Sequence, residues 1–216
     1  AGVDVDFEYI LPEDREGYAA FVGNLRAAMN AEGYQVSVAL APKSSATQPG
    51  LLYEGMDYRL LGQNADQVLL MTYEWGFTYG PPMAVAPLNK VREVLDYAVT
   101  EIPREKILMG IPNYGYDWKL PFVKGETAAE LLGNVEAVRR AAQYGAVIQF
   151  DEIARSPYFT YVQEGSTHEV WFEDVRSIQA KVELAFSYGF WGIGYWNLMR
   201  PFRANWLLLN GMGFLE

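Results

Sequence analysis

Strand-patterned and helix-patterned segments alternate along most of this chain, and that alternation admits few architectures. Residues 2–10, "GVDVDFEYI", read as a strand. Pro12 and Glu13-Asp14 then mark a helix start, and Tyr18, Phe21, Val22, Leu25 and Met29 recur at helical spacing until Gly33 ends the helix. "QVSVALAP" (35–42) is a short strand closed by proline, followed by a polar loop and a short amphipathic segment over 51–61. "DQVLLMTYEW" (66–75) is nearly all apolar, as a strand covered on both faces should be, and Leu88, Val91, Val94, Leu95 and Ala98 trace the next helix. "KILMGIPNYGYDW" (106–118) and "GFWGIGYWNLM" (189–199) supply a fourth and a fifth strand. Strands and helices in this order imply an α/β fold with a parallel sheet and outer helices, either a barrel or an open doubly wound sheet.

Between the last two strands the rhythm changes. Residues 131–144 pattern as a helix, whereas "AVIQF", "YFTYVQ" and "HEVWFED" pattern as antiparallel strands with "EGST" as a turn. Residues 119 to about 173 are therefore expected to form an inserted α+β lobe. Asp174 is the expected N-cap of the following helix, with Ile178, Val182, Leu184 or Ala185 facing inward. No repeat, low-complexity tract or flexible linker suggests a second independent domain.

Composition narrows the chemistry. A net charge of −10, with none of the 17 Lys and Arg in a run, argues against a nucleic-acid or anionic-membrane partner. There is no cysteine and a single histidine, His168, which excludes thiol catalysis, disulfides and structural zinc sites and leaves carboxylates as the natural catalytic groups. No apolar run approaches the roughly 20 residues of a membrane-spanning helix.

The opening strand places Asp4, Asp6 and Glu8 on alternate positions. An ordinary surface strand with one wet face produces the same alternation. On the inner face of a parallel barrel the three acids would instead form a ladder rising about 6.5 Å per step, with Glu8 at the C-terminal lip where barrel enzymes hold their catalytic groups. Closely spaced carboxylates raise at least one pKa, leaving an acid able to donate a proton near neutrality. A general acid supported by other carboxylates points to glycoside hydrolysis.

These residues reach a family. "GVDVDFE" resembles the D-G-x-D-x-D-x-E signature on the fourth barrel strand of glycoside hydrolase family 18, the chitinase family, with Ala1 in place of its leading aspartate. "LLMTYEW", containing Met71, resembles the family's M-x-Y-D segment on the sixth strand, and "GIGYWNLM" its eighth. "GIPNYGYDW", "HEVWFEDVRSI" and "YWNLMRPFRANWLLL" resemble stretches of the LysM-associated, spore cortex-lytic N-acetylglucosaminidases of that family.

The resemblance implies a (β/α)8 TIM-barrel type fold, here reduced to strands 4–8 as the C-terminal part of the catalytic domain, and no metal or cofactor. It makes Glu8 the general acid/base, Asp6 the group that orients the substrate's acetamido, and Asp4 its supporting partner. The nucleophile is the substrate's own acetamido oxygen. Tyr73 would donate its hydroxyl to that oxygen, Met71 and Glu74 would line the substrate site, Glu74 standing where the family has aspartate, and Trp196 would lie under the sugar ring. Asn113 and Tyr114, with Tyr116, are expected to meet sugar hydroxyls.

Plainer readings compete with several of these roles. Tyr73 and Trp196 could be packing residues, Glu74 a salt-bridge partner, and Asn113, Tyr114 and Tyr116 parts of a turn. His168 is expected to be structural, and Trp75, Trp118 and Trp171 either widen a cleft or pack the lobe. The expected partner is an N-acetylated glycan, peptidoglycan or a chitin oligosaccharide, handled outside the cytoplasm at a bacterial cell wall or spore. A non-hydrolytic sugar-binding relative, or an inactive fragment of the enzyme, is the alternative. An open set of five parallel strands would expose edges, so self-association is expected.

Overall fold

The computed structural model describes residues 2–214; Ala1, at the position of the family's leading aspartate, lies outside them. The chain divides into two compact units. One runs from the N-terminal strand to Thr72 and includes Val91–Gly110 and Leu184–Gly194; the other comprises Tyr73–Lys90, Ile111–Glu183 and the segment from Tyr195 onward.

The first unit carries all but the last two residues of β4 and of β10 in a sheet of β1 (Gly2–Val5), β2 (Gln35–Leu40), β3 (Gln67–Leu70), β4 (Ile107–Pro112) and β10 (Gly192–Trp196), hydrogen-bonded in that order. The β1–β2, β2–β3 and β3–β4 pairs are parallel, with Val5 opposite Val38, Val38 opposite Val68 and Leu70 opposite Met109. Their β-branched and aliphatic side chains alternate across the pleat, so Val36, Val38, Leu40, Val68, Leu70, Ile107 and Met109 form one buried face. Tyr18, Ala19 and Val22 of α1 (Arg15–Ala31), Tyr58 and Leu61 of α2 (Tyr58–Asn64), and Val91, Val94, Leu95 and Ala98 of α3 (Leu88–Glu101) are buried with them. Gly33 closes α1 in the left-handed region at φ 80°.

Four expectations are corrected here. The opening strand ends at Val5 rather than residue 10, and only Val5 of it is buried. Asp4, Asp6 and Glu8 are exposed, not enclosed by other strands, because β1 is the edge of its sheet. The β3 segment is not covered equally on both faces, since Val68 and Leu70 are buried but Leu69 only partly. Finally, the apolar run 106–118 is two strands in different sheets, β4 and β5 (Gly115–Lys119), broken at Asn113-Tyr114.

The second unit carries the antiparallel sheet, in order β6 (Glu130–Leu132), β5, β9 (Ser166–Trp171), β8 (Ser156–Gln163) and β7 (Gln149–Asp151). The helix patterned over 131–144 starts later, as α4 (Asn134–Gln143), because 130–132 pairs with β5 as a strand. β8 and β9 form a hairpin whose two turn residues, Glu164 and Gly165, both have positive φ (51° and 78°), matching a primed turn. Phe159, Tyr161, Val170, Phe172 and Leu132 pack with Ala137 and Ala141 of α4 into this unit's core. The helix after it, α5 (Val175–Tyr188), begins as expected: Asp174 Oδ1 accepts from the backbone N–H groups of Arg176 (2.9 Å) and Ser177 (3.1 Å), and Ile178 and Val182 are buried. A last helix, α6 (Arg203–Gly211), follows.

Candidate active site

In the first unit the acid ladder sits at the C-terminal end of β1. Ser37, directly across in β2, donates its hydroxyl to Asp4 Oδ1 at 2.5 Å, which fixes that carboxylate against the sheet. Asp6 is exposed as a residue, but partial burial of its carboxyl, and then the charge of Asp4 beside it, push it above the usual aspartate range. The same two acids act on Tyr18 of α1, whose hydroxyl is pushed up to about 12, by burial first and by Asp6 and Asp4 in addition. In the sequence Tyr18 reads only as a core position of α1. Its ring stacks on Phe7, between Asp6 and Glu8 in the chain, with centroids 6.0 Å apart.

Glu8 lies past the end of β1 and is exposed. Tyr9, immediately after it, takes φ 59°, a left-handed conformation that a tyrosine adopts at a cost and that clusters at functional sites. Met71 is half-buried and its N–H donates to Leu40 O at 2.9 Å, continuing the β3 ladder for one residue.

In the second unit Tyr73 is buried, at 8% exposure, and Glu74 follows it at φ 68°. Glu74 is where tertiary structure does most. Tyr114 donates to its Oε1 at 2.5 Å and Tyr116 to the same oxygen at 3.0 Å, with Tyr116 also 3.2 Å from Oε2. Two phenols thus stand where the plainer reading of Glu74 had a salt bridge. Burial raises the Glu74 pKa while the two hydroxyls oppose that rise. Both tyrosines are pushed far upward, by burial first and then by the Glu74 charge, so both stay protonated donors. The spacing that could have announced this is Y-G-Y, which puts Tyr114 and Tyr116 two residues apart.

Asn113 and Tyr114 are buried at the β4–β5 junction rather than presented at a strand end. Trp196 is the reverse, a large aromatic that is 51% exposed at the end of β10. The Trp196–Asn197 peptide is cis. Of the undecided tryptophans, Trp118 is fully buried with Nε1 donating to Gly80 O at 2.7 Å, so it packs. Trp171 stacks on Tyr158, centroids 4.6 Å apart, and Trp75 is half-buried with its N–H donating to Val85 O at 3.0 Å.

His168 joins a partly buried cluster around the buried Asp117 on the antiparallel sheet. Its Nδ1 lies 2.8 Å from Asp117 Oδ1, while Asp117 Oδ2 accepts from Arg140 and Tyr161, each at 2.6 Å. Every oxygen of Asp117 is satisfied, so this cluster reads as a structural clasp between β5, α4, β8 and β9. Among the described residues no grouping of three or more His, Asp or Glu could hold a metal ion, and no helix is long and apolar enough to cross a membrane.

Comparison with known proteins adds lineage to this geometry. The chain is 50% identical over 209 residues to the "Cortical fragment-lytic enzyme" of Bacillus subtilis, a match covering 96% of this chain and 48% of that protein. The crystal structure of the Bacillus cereus spore cortex-lytic enzyme SleL superposes with a TM-score of 0.93 at 46% identity, over 97% of this chain and 48% of that one. A chitinase from Chromobacterium violaceum superposes at 0.91 with 32% identity, over 100% of this chain and 67% of that one. The chain therefore spans about half the length of the cortex-lytic relatives it matches. Its parallel sheet is of the TIM-barrel type expected, joined in sequence to the antiparallel lobe. The family model for glycosyl hydrolases family 18 matches residues 1–200, and the chain belongs to that family.

Proposed function

We propose that this chain is the C-terminal portion of a catalytic domain, with the antiparallel segment as an inserted α+β lobe, in a retaining glycosidase that cleaves N-acetylglucosaminyl bonds of peptidoglycan. Spore cortex fragments are the substrate we favour, in keeping with the names of its relatives, and chitin-like glycans come second. The site of action is then the bacterial cell wall or spore.

Glu8 protonates the departing glycosidic oxygen as the acetamido carbonyl oxygen closes on the anomeric carbon, giving an oxazolinium ion. Glu8, now ionised, takes a proton from the water that opens that ring, so the anomeric configuration is retained. Asp6 accepts from the acetamido N–H and is steadied by Asp4. Tyr73 donates to the acetamido oxygen, Trp196 offers a flat apolar face to the sugar's C–H groups, and Met71, Glu74 and Tyr114 complete the substrate surroundings.

One observation carries this reading: the D-x-D-x-E motif of residues 4–8, at and just past the end of β1, in which partial burial of the Asp6 carboxyl first and the charge of Asp4 second push Asp6 above its ordinary range. The test is the longest natural protein containing these residues, wild type against Glu8→Gln, on muropeptide glycans and chitooligosaccharides. Glu8→Gln is expected to lower kcat by a factor of 10²–10⁴ or more, the usual contribution of a general acid/base. Equal turnover by the two proteins overturns the mechanism.

A further inference from the structure

Trp196 presents half of its surface to solvent, so packing alone does not fix its indole ring; what is fixed is its backbone. A single buried residue does most of that. The Asn113 N–H donates to Trp196 O at 2.8 Å, and Asn113 Nδ2 donates to Asn197 O at 3.2 Å and to Arg200 O at 2.8 Å. With both amide hydrogens aimed at carbonyls, Asn113 Oδ1 must face the other way and needs a donor.

Asn134, the first residue of α4, supplies it, its Nδ2 lying 3.2 Å from Asn113 Oδ1. That leaves Asn134 Oδ1 as an acceptor, and it takes the backbone N–H of Glu173 at 2.9 Å. Glu173 is in turn anchored by the fully buried Lys181, Nζ to Oε2 at 2.8 Å. Asn113, Asn134, Glu173 and Lys181 are all buried, and apolar side chains would fill such positions more cheaply unless the polar groups were needed.

The geometry points to Asn113 and Asn134 as positioning residues that hold the 196–200 turn, and through it the plane of Trp196, in register for a sugar ring. Asn113 thus serves the site from behind rather than by touching substrate, and Asn134 acquires a role nothing in its local sequence announces. This rests on the proposed reading of Trp196 as the sugar platform.

A double-mutant cycle tests it in the longest natural protein containing this chain, with a neutral β-linked N-acetylglucosamine tetramer as probe. Asn134→Asp keeps the acceptor for Glu173 but loses the donor to Asn113; Asn134→Ser shortens both reaches. Each is expected to lower kcat/KM about ten- to a hundredfold, the effect of misplacing a binding group by about 1 Å. In a Trp196→Ala background the same changes are expected to have little further effect.

An equal drop in both backgrounds, unchanged kcat/KM, or failure of both variants to fold makes Asn134 merely structural and overturns the inference alone. If Trp196→Ala by itself leaves kcat/KM unchanged, the platform reading fails and the inference with it.

Discussion

Glu74 shows how much a single residue's chemistry depends on partners distant in sequence. Its carboxyl is pushed above the ordinary value of 4.5 by burial, against the opposing pull of two tyrosine hydroxyls. A carboxyl whose folded pKa lies above its unfolded one binds its proton more tightly when folded, so its contribution favours the fold below 4.5 and is lost as pH rises through the folded pKa. Glu74→Gln removes that titration. The wild type is therefore expected to lose melting temperature relative to Glu74→Gln as pH is raised from 4 toward neutrality, a trend that paired thermal melts would reveal. A difference that stays flat with pH, or grows in favour of the wild type, contradicts the assignment.

At the scale of elements, the break after β4 depends on Gly115. A Cβ there would meet Trp171 O at 2.3 Å and Phe172 Cβ at 2.6 Å, because β5 begins by pressing directly against the end of β9. Gly165, in the β8–β9 turn, has open space around its Cβ position and is constrained only by its positive φ. Gly165→Ala is accordingly expected to cost about 1 kcal/mol, from backbone conformation alone. Gly115→Ala is expected to cost about 3 kcal/mol, because the atoms in the way are largely main chain and cannot swing aside. Urea unfolding of the two variants side by side measures the gap, and a reversed order refutes the account of the junction.

At the scale of the whole molecule, β1 is an edge strand, and the segment continuing from it exposes Phe7, Tyr9 and Leu11. Unpaired main-chain groups beside apolar side chains invite pairing with another chain. The 216-residue chain is expected to self-associate as its concentration rises, and Val3→Lys together with Phe7→Glu to shift it toward monomer. Light scattering across a dilution series checks this; a monomer at every concentration rules it out.

Much of this was legible before any coordinates. The order of parallel strands and helices, the N-cap at Asp174, the β8–β9 turn and the acid motif of residues 4–8 are all local patterns, because alternation along a strand, spacing along a helix and turn chemistry are set by neighbours a few residues away. The division of 106–118 between two sheets was not legible, since an unbroken apolar run does not say which strand each part pairs with. Nor was the exposure of the acid face, which depends on where β1 falls in the sheet order. The amide relay joins Asn113 to Asn134 across 21 residues, and separate phenol hydrogen bonds join Glu74 to its tyrosines across 40 and 42, distances over which periodicity carries no information. The sequence by itself determined which chemical groups are present and which local elements carry them. Only the tertiary structure decided which of those groups meet, because hydrogen-bond partners of buried side chains are chosen by packing between elements and not by spacing along the chain.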